Sequence, residues 1–211
     1  MLLTDYNRDL VIEMLMEAEV ALSNNLMSFW THNTWDIEYG GFLTRLDRRG
    51  QLFDASEKVL MMQVRMISSL AAAHRFGLTD YGYLDLADRG FDYLVNTFWD
   101  KEDGGFYYSV GQDGTPKSKR KNTDFHGYAM TGLVEYYLAS GKEEALKWAD
   151  RVFDLLLDKA ADRDMGFIED FDGNHWPVLN ADQMRLSEQQ GIKTIDMHAN
   201  VLEGMMYLAG A

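Results

Sequence analysis

With 34 acidic against 20 basic side chains in 211 residues, the chain carries a net charge of −14, which excludes the basic face a nucleic-acid binder presents. Hydrophobic residues make up 46% and aromatics 13%, enough for a packed core, yet no run of about 18 apolar residues suggests a membrane span. There is no cysteine, so disulfides and thiolate chemistry are excluded; the N-terminus MLLTDYNRDL lacks the apolar core of a secretion signal, and a cytoplasmic protein is the expectation.

Tyr6 to Phe29 places Leu10, Val11, Met14, Leu15, Ala18, Leu22 and Leu26 at three- and four-residue steps, which predicts one long amphipathic helix. Next comes WDIEYGGFLTRLDRRG, Trp35 to Gly50. Gly40 and Gly41 free the backbone, Phe42 and Leu43 start a strand, and Asp47 to Gly50 turns it into a hairpin. Glu57 to Phe76 is apolar on nearly every side, the pattern of a buried helix, with one cation, Arg65, in its middle. Tyr83 to Phe98 is amphipathic again.

The hairpin then returns as WDKEDGGFYYSVGQDG, Trp99 to Gly114, followed by a basic run, Lys117 to Lys121, read as a solvated loop. Thr123 to Ser140 is mostly apolar, with Thr123 or Asp124 as its cap and Gly141 as its stop. Glu143 to Leu157 is amphipathic. A third, shorter hairpin, DRDMGFIEDFDG, spans Asp162 to Gly173; its carboxylates Asp164, Glu169, Asp170 and Asp172 read as a solvated acidic turn. A longer loop, Trp176 to Gly191, leads to a last helix, Thr194 to Leu208.

The order is therefore outer helix, hairpin, inner helix, three times over. Phe42, Phe106 and Phe167 mark the hairpins at separations of 64 and 61 residues, the spacing of a repeat architecture. The inner helices superpose on their leading lysines, Lys58, Lys121 and Lys193. Seven residues on from each stand Arg65, Tyr128 and Asn200. Polar groups recurring at one level of buried helices suggest a shared pocket. An arginine there needs a partner carboxylate or a wet cavity, because an unpaired buried charge is very costly. The fold class is all-α, of (α/α)6-barrel type with β-hairpins on one rim, the chain forming a single domain over 1–211. Six pairs at about 62 residues each would need roughly 370 residues, so three pairs make half a ring. The open edges of such a half-ring expose apolar flanks, and a homodimer through them is the expectation.

DIEYGGFLTRLD, KVLMMQVR, HGYAMTGLVEYY, GFIEDFDGNHW and MHANVLE, in this order along the chain, resemble the N-acylglucosamine 2-epimerase family, which includes cellobiose 2-epimerases and aldose–ketose isomerases. The resemblance covers the N-terminal half of a typical member. It implies an isomerase that removes the C2 proton of a ring-opened aldose, passes through an enediolate and returns the proton to the other face, or to C1. It implies a mono- or disaccharide substrate and no cofactor. Arg65 matches the family arginine that contacts substrate oxygens and would stabilise the enediolate. His126, Tyr128, Asp124, Asp196 and Asn200 fall on pocket positions, and Trp176 on a hairpin position suited to stacking on a sugar. The chain departs from the family pattern where Asn200 takes the place of a pocket histidine, Asp196 of an asparagine and Asp124 of an aromatic. His198, two residues before Asn200, is expected to face elsewhere, since two residues turn a helix by about 200°. The two histidines that the resemblance assigns to proton transfer lie in the family's C-terminal half. Two other readings stand beside this one: a glycoside hydrolase on the same toroid using the acidic hairpin residues, and a non-catalytic carbohydrate-binding or assembly half-barrel. No set of His, Cys, Asp and Glu has zinc spacing, so no metal is expected.

Overall fold

Local chemistry sets where each element starts and stops. The computed structural model describes residues 5–78, 82–162, 165–178 and 193–211; Asp164 and the loop after Val178 lie outside them. The first outer segment is helix α1 (Asp5–Ala21), a π-helical turn (Leu22–Met27) and α2 (Ser28–Thr34). The predicted single stripe is thus interrupted. Leu10, Val11, Met14 and Leu15 are exposed, because no described element covers that side of α1.

Strands β1 (Arg45–Leu46) and β2 (Leu52–Asp54) form the first hairpin ladder. The ladder begins later than the sequence suggested. Phe42 makes only a single bridge to Trp35, since its N–H is taken by the Gln63 side chain at 2.7 Å. The Asp47–Gly50 turn forms as expected, with the Gly50 N–H donating to the Asp47 carbonyl.

β3 (Lys58–Val59) then leads into α3 (Leu60–Arg75), so the inner helix starts three residues after Glu57. The remaining elements are α4 (Tyr83–Tyr93) with a π-helical end (Leu94–Phe98), β4 (Ser109–Val110), β5 (Pro116–Ser118), β6 (Lys121–Asn122), α5 (Thr123–Ser140), α6 (Glu143–Lys159), β7 (Asp170–Phe171) and α7 (Ile195–Gly210). β3 pairs with β4, and β6 with β7, so each short strand before an inner helix carries the hairpin of the next repeat.

The inner helices α3, α5 and α7 pack side by side, with α4 lying against α3 and α5, and α6 against α5 and α7. Leu60, Ile67, Leu70, Phe91, Phe98, Leu133, Tyr136 and Val152 fill the space between the layers. Each such side chain contributes about 1.5–3 kcal/mol by leaving water. α5, flanked on both sides, is apolar all round for that reason. Its cap is Asn122, which accepts the Phe125 N–H at 2.9 Å; neither Thr123 nor Asp124 does so, because both already lie inside the first turn. Gly141 ends the helix at φ 71°.

α5 and α7 cross backbone to backbone. A Cβ on Gly127 would sit 2.8 Å from the Val201 nitrogen, and backbone cannot yield as a side chain tip can. Gly127→Ala is expected to destabilise by about 1–3 kcal/mol through overpacking, seen as a lower urea midpoint at unchanged m-value.

One device fastens every hairpin to its inner helix. Lys58 pairs with Asp36 at 2.9 Å and donates to the Gly40 carbonyl; Lys121 pairs with Asp100 at 2.9 Å and donates to Gly105; Lys193 pairs with Asp162 at 2.7 Å and donates to Met165. Five residues after each lysine, Gln63, His126 and His198 accept the N–H of Phe42, Phe106 and Phe167. The lysine spacing in the sequence carried this signal; the acceptors five residues on were the part it concealed.

Candidate functional site

Helix periodicity decides what faces the axis of this half-ring. The third residue after each lysine is Met61, Asp124 or Asp196, and the seventh is Arg65, Tyr128 or Asn200. These six, with Ala199, line one cleft of about 270 Å³. Five of the seven residues singled out from the sequence therefore meet.

The Arg65 Nη2 donates to the Tyr128 hydroxyl at 3.2 Å, and the guanidinium lies 4.9 Å from the centre of that ring. Arg65 is exposed rather than buried, so the wet cavity is what meets its need for solvation. It makes no ion pair among the described residues, which leaves most of its five N–H donors to the cleft. Across the cleft the Asn200 Nδ2 donates to Asp124 Oδ1 at 2.6 Å. Burial raises the Asp124 carboxyl above its ordinary pKa, and the nearby Asp196 pushes the same way. The Asn200 donation and the Arg65 charge offset this only in part. Asp124 and Asp196 also sit in the first turns of α5 and α7, where the positive helix ends favour them. The arrangement offers a fixed cation and a phenol beside hydrogen-bond acceptors, all suited to the oxygens of a polyol or carbonyl compound.

His126 and Trp176 are not part of this cleft. His126 is fully buried, its Nε2 accepting the Phe106 N–H at 2.8 Å while Nδ1 meets the Asn122 carbonyl at 2.7 Å. Burial pushes its pKa down to about 4. Nε2 serves the second hairpin and Nδ1 the carbonyl of the residue that caps α5, and neither is left for a substrate. Trp176 is 5% exposed, packs against His126 and Phe171, and donates its Nε1–H to the Asp103 carbonyl at 3.2 Å. Its faces are occupied, so stacking on a sugar is not available to it. His198 turns away from the cleft toward Phe167, as the 200° argument predicts.

Two surface expectations also change. The run Lys117 to Lys121 is no uniform solvated loop: Lys121 is wholly buried beside Asp100, and Arg120 pairs with Asp170. Asp170 is 1% exposed and also accepts from the Asn122 amide at 2.8 Å, while Glu169 accepts from the Thr194 hydroxyl at 2.8 Å. These two carboxylates hold the third hairpin and are not poised for acid–base work on a glycosidic bond.

A second, apolar trough of about 530 Å³ lies on the free side of α3. Leu22, Leu26 and Trp30 of the first outer segment form one wall, and Met62, Met66 and Ser69 the other. Arg65 lines both trough and cleft. Among the described residues no group of three or more His, Cys, Asp or Glu side chains is placed to hold a metal ion. No described helix is long and apolar enough to cross a membrane.

The sequence profile described as N-acylglucosamine 2-epimerase (GlcNAc 2-epimerase) matches residues 40–190. A cellobiose 2-epimerase from Bacteroides fragilis is 32% identical over 190 residues, which cover 89% of this chain and 47% of that protein. The solved cellobiose 2-epimerase of Spirochaeta thermophila superposes with a TM-score of 0.85 at 28% identity, over 95% of this chain and 49% of that one. A solved D-mannose isomerase superposes at 0.74 with 18% identity over 93% of this chain and 47% of that one, a likeness of fold alone. The chain thus spans about half the length of the curated relatives it matches, and its fold is that of a partial (α/α)6 barrel.

Proposed function

This chain belongs to the N-acylglucosamine 2-epimerase family, and from that footing we propose that its Arg65 cleft binds a mono- or disaccharide as one wall of a sugar epimerase or isomerase site. The convergence of Arg65, Tyr128, Asp124, Asp196 and Asn200 from three inner helices on one cleft carries the reading. The name shared by its relatives, cellobiose 2-epimerase, makes a disaccharide with a reducing-end glucose the first ligand to try.

The chemistry follows from the groups. In the open-chain aldose the C2 proton is acidic because the carbanion delocalises into the aldehyde as an enediolate. A guanidinium and a phenol placed at the oxygens stabilise that charge as it develops. Asp124 and Asp196 accept from sugar hydroxyls and fix the chain's orientation. None of these roles takes the proton: the family resemblance gives that task to two histidines of the C-terminal half, and return of the proton from them to C2 on the opposite face gives the epimer, return to C1 the ketose.

Titrating the chain with cellobiose, glucose and mannose by calorimetry tests the binding. Arg65→Ala is expected to lose a charge-assisted hydrogen bond of about 1.5–3 kcal/mol, a ten- to hundredfold weaker Kd. Equal affinity in the variant, or no binding by wild type, rejects the reading. Deuterium entering C2 in D2O then tests catalysis; binding without exchange supports a carbohydrate-binding role instead.

The Asp124 carboxyl supplies a further check. Its pKa is raised mainly by burial, so it takes up a proton at higher pH than an ordinary aspartate. Sugar affinity is expected to fall on acidification as this acceptor is lost, and Asp124→Asn should flatten that dependence while lowering affinity at neutral pH.

A further inference from the structure

Arg65, Tyr128, Asp124 and Asp196 can each meet a sugar oxygen or hydroxyl directly; Asn200 turns its amide to Asp124 instead. The Asn200 Nδ2 donates to Asp124 Oδ1 at 2.6 Å, from α7 to α5, across 76 positions of sequence. The partner dictates how the amide is turned. An ionised carboxylate oxygen only accepts, so the amide nitrogen and not its oxygen must face it. The helix crossing makes the bond possible. α5 and α7 touch at Gly127, where an added Cβ would lie 2.9 Å from the Asn200 carbonyl carbon. Asp124 stands one turn earlier on the same face of α5, so the close approach at Gly127 carries the Asn200 side chain to it.

The joint between the helices does not depend on this bond. Met197, Val201 and Gly204 form the buried face of α7, and Asn200 lies half-buried at the edge of that face. The charges around Asp124 give the bond its consequence. Burial disfavours the ionised carboxyl most, and Asp196 on α7 and Asp170 on β7, itself paired with Arg120, act in the same direction. The Asn200 amide and the Arg65 guanidinium on α3 oppose them, the amide more strongly. Among the described residues Arg65 makes no ion pair with Asp124; its Nη2 donates to Tyr128. The contact that favours the charged form is therefore the one from Asn200.

We propose that Asn200 is a positioning residue for Asp124: its amide ties one carboxylate oxygen across the α5–α7 joint and leaves the second oxygen to a ligand hydroxyl as a charged acceptor. For its ligand the inference rests on the sugar reading of the cleft; for the hold on Asp124 it rests on the helix geometry alone. Asn200 acts through Asp124 and not on the sugar, so the effects of losing the two side chains are coupled and do not add.

The Asp124 carboxyl carbon, followed by NMR across pH in the ligand-free chain and assigned by its absence from Asp124→Asn, reports the hold without any sugar. Asn200→Leu keeps the side-chain volume and Asn200→Ala removes it. Both lose the donor, and both place a better helix former than asparagine in α7, so the helix is retained. In both variants Asp124 should take up its proton at higher pH than in wild type, because the bond that favoured the charged form is gone. Cellobiose affinity at neutral pH should fall about two- to tenfold in either variant, the range of one hydrogen bond, and its decline on acidification should begin at higher pH. Asn200→Leu combined with Asp124→Asn should bind no more weakly than Asp124→Asn alone. A wild-type titration of Asp124 in both Asn200 variants overturns the proposal and leaves the sugar reading untouched. Loss of affinity with an unmoved acid limb, or losses that add in the double variant, overturns it equally, since either makes Asn200 a direct contact or a structural pin. A chain that binds no sugar rejects the sugar reading, and with it the role of the pair toward a ligand, whatever the NMR titration gives.

Discussion

Replacing Lys121 by methionine is expected to cost about 3–5 kcal/mol, the range for breaking a buried ion pair from one side. Lys121 is 0% exposed and Asp100 1% exposed; they meet at 2.9 Å beneath the second hairpin, with the ammonium 4.5 Å from the centre of the Tyr107 ring. Burial lowers the Lys121 pKa, and the Asp100 carboxylate opposes that shift. Burial alone would raise Asp100, but the Lys121 ammonium and the N–H groups of Glu102 and Asp103 outweigh it and hold the carboxyl below its ordinary value. Removing the lysine strands a carboxylate in an apolar setting. Adding Asp100→Asn to Lys121→Met should recover part of the loss, because the stranded charge is what costs most. Lys193→Met breaks the equivalent pair of the third repeat, where both side chains are about 30% exposed. Solvent screens that pair, and about 1 kcal/mol or less is expected. Urea denaturation of the four proteins measures the contrast. Equal losses at Lys121 and Lys193 would show that burial does not set the value of this repeated bond.

His126→Gln is expected to remove an acid sensitivity of the fold. His126 serves the second hairpin as a neutral ring, and burial holds its folded pKa near 4 against an unfolded value near 6.5. The folded pKa is the lower of the two, so protons favour the unfolded chain. The contribution is fully present above pH 6.5 and is lost as pH falls from there toward 4, about 3 kcal/mol over the window. Gln63 shows that an amide fills the same post in the first repeat: its Oε1 accepts the Phe42 N–H and its Nε2 donates to the Phe42 carbonyl, each at 2.7 Å. Glutamine at 126 should therefore keep the hairpin fastened and carry no titration. The many carboxylates titrate in both proteins, so the difference between wild type and variant isolates the imidazole. Parallel stability curves from pH 7 to pH 4 would remove His126 from any role in acid unfolding.

The repeat, the order of outer helix, hairpin and inner helix, and the level at which Arg65, Tyr128 and Asn200 stand were legible in the sequence. They follow from short-range regularities: the spacing of apolar residues, paired glycines before a phenylalanine, and a lysine at the head of each inner helix. Such signals persist because every repeat must bury the same face against its neighbours. Helix geometry also carried the local distinction between Asn200 and His198.

Tertiary structure decided which polar groups the cleft keeps. His126 stands two residues from Tyr128 and was placed with it by family resemblance. The hairpin formed 20 residues earlier presents the Phe106 N–H to it, and that buried donor required an acceptor more than the cleft required an imidazole. Asp170 read as a surface charge because Arg120 becomes its neighbour only when β6 pairs with β7, and Lys121 because Asp100 meets it only when the second hairpin folds back on the start of its own inner helix. Arg65 read as a charge on a buried helix that needs a partner carboxylate or a wet cavity, and the fold chose the second by leaving it exposed at the cleft. One helix sequence fixes the angle at which each side chain leaves the axis. Whether that direction meets water, a backbone donor or another helix depends on the segments that pack against it, and those contacts exist only in the assembled fold.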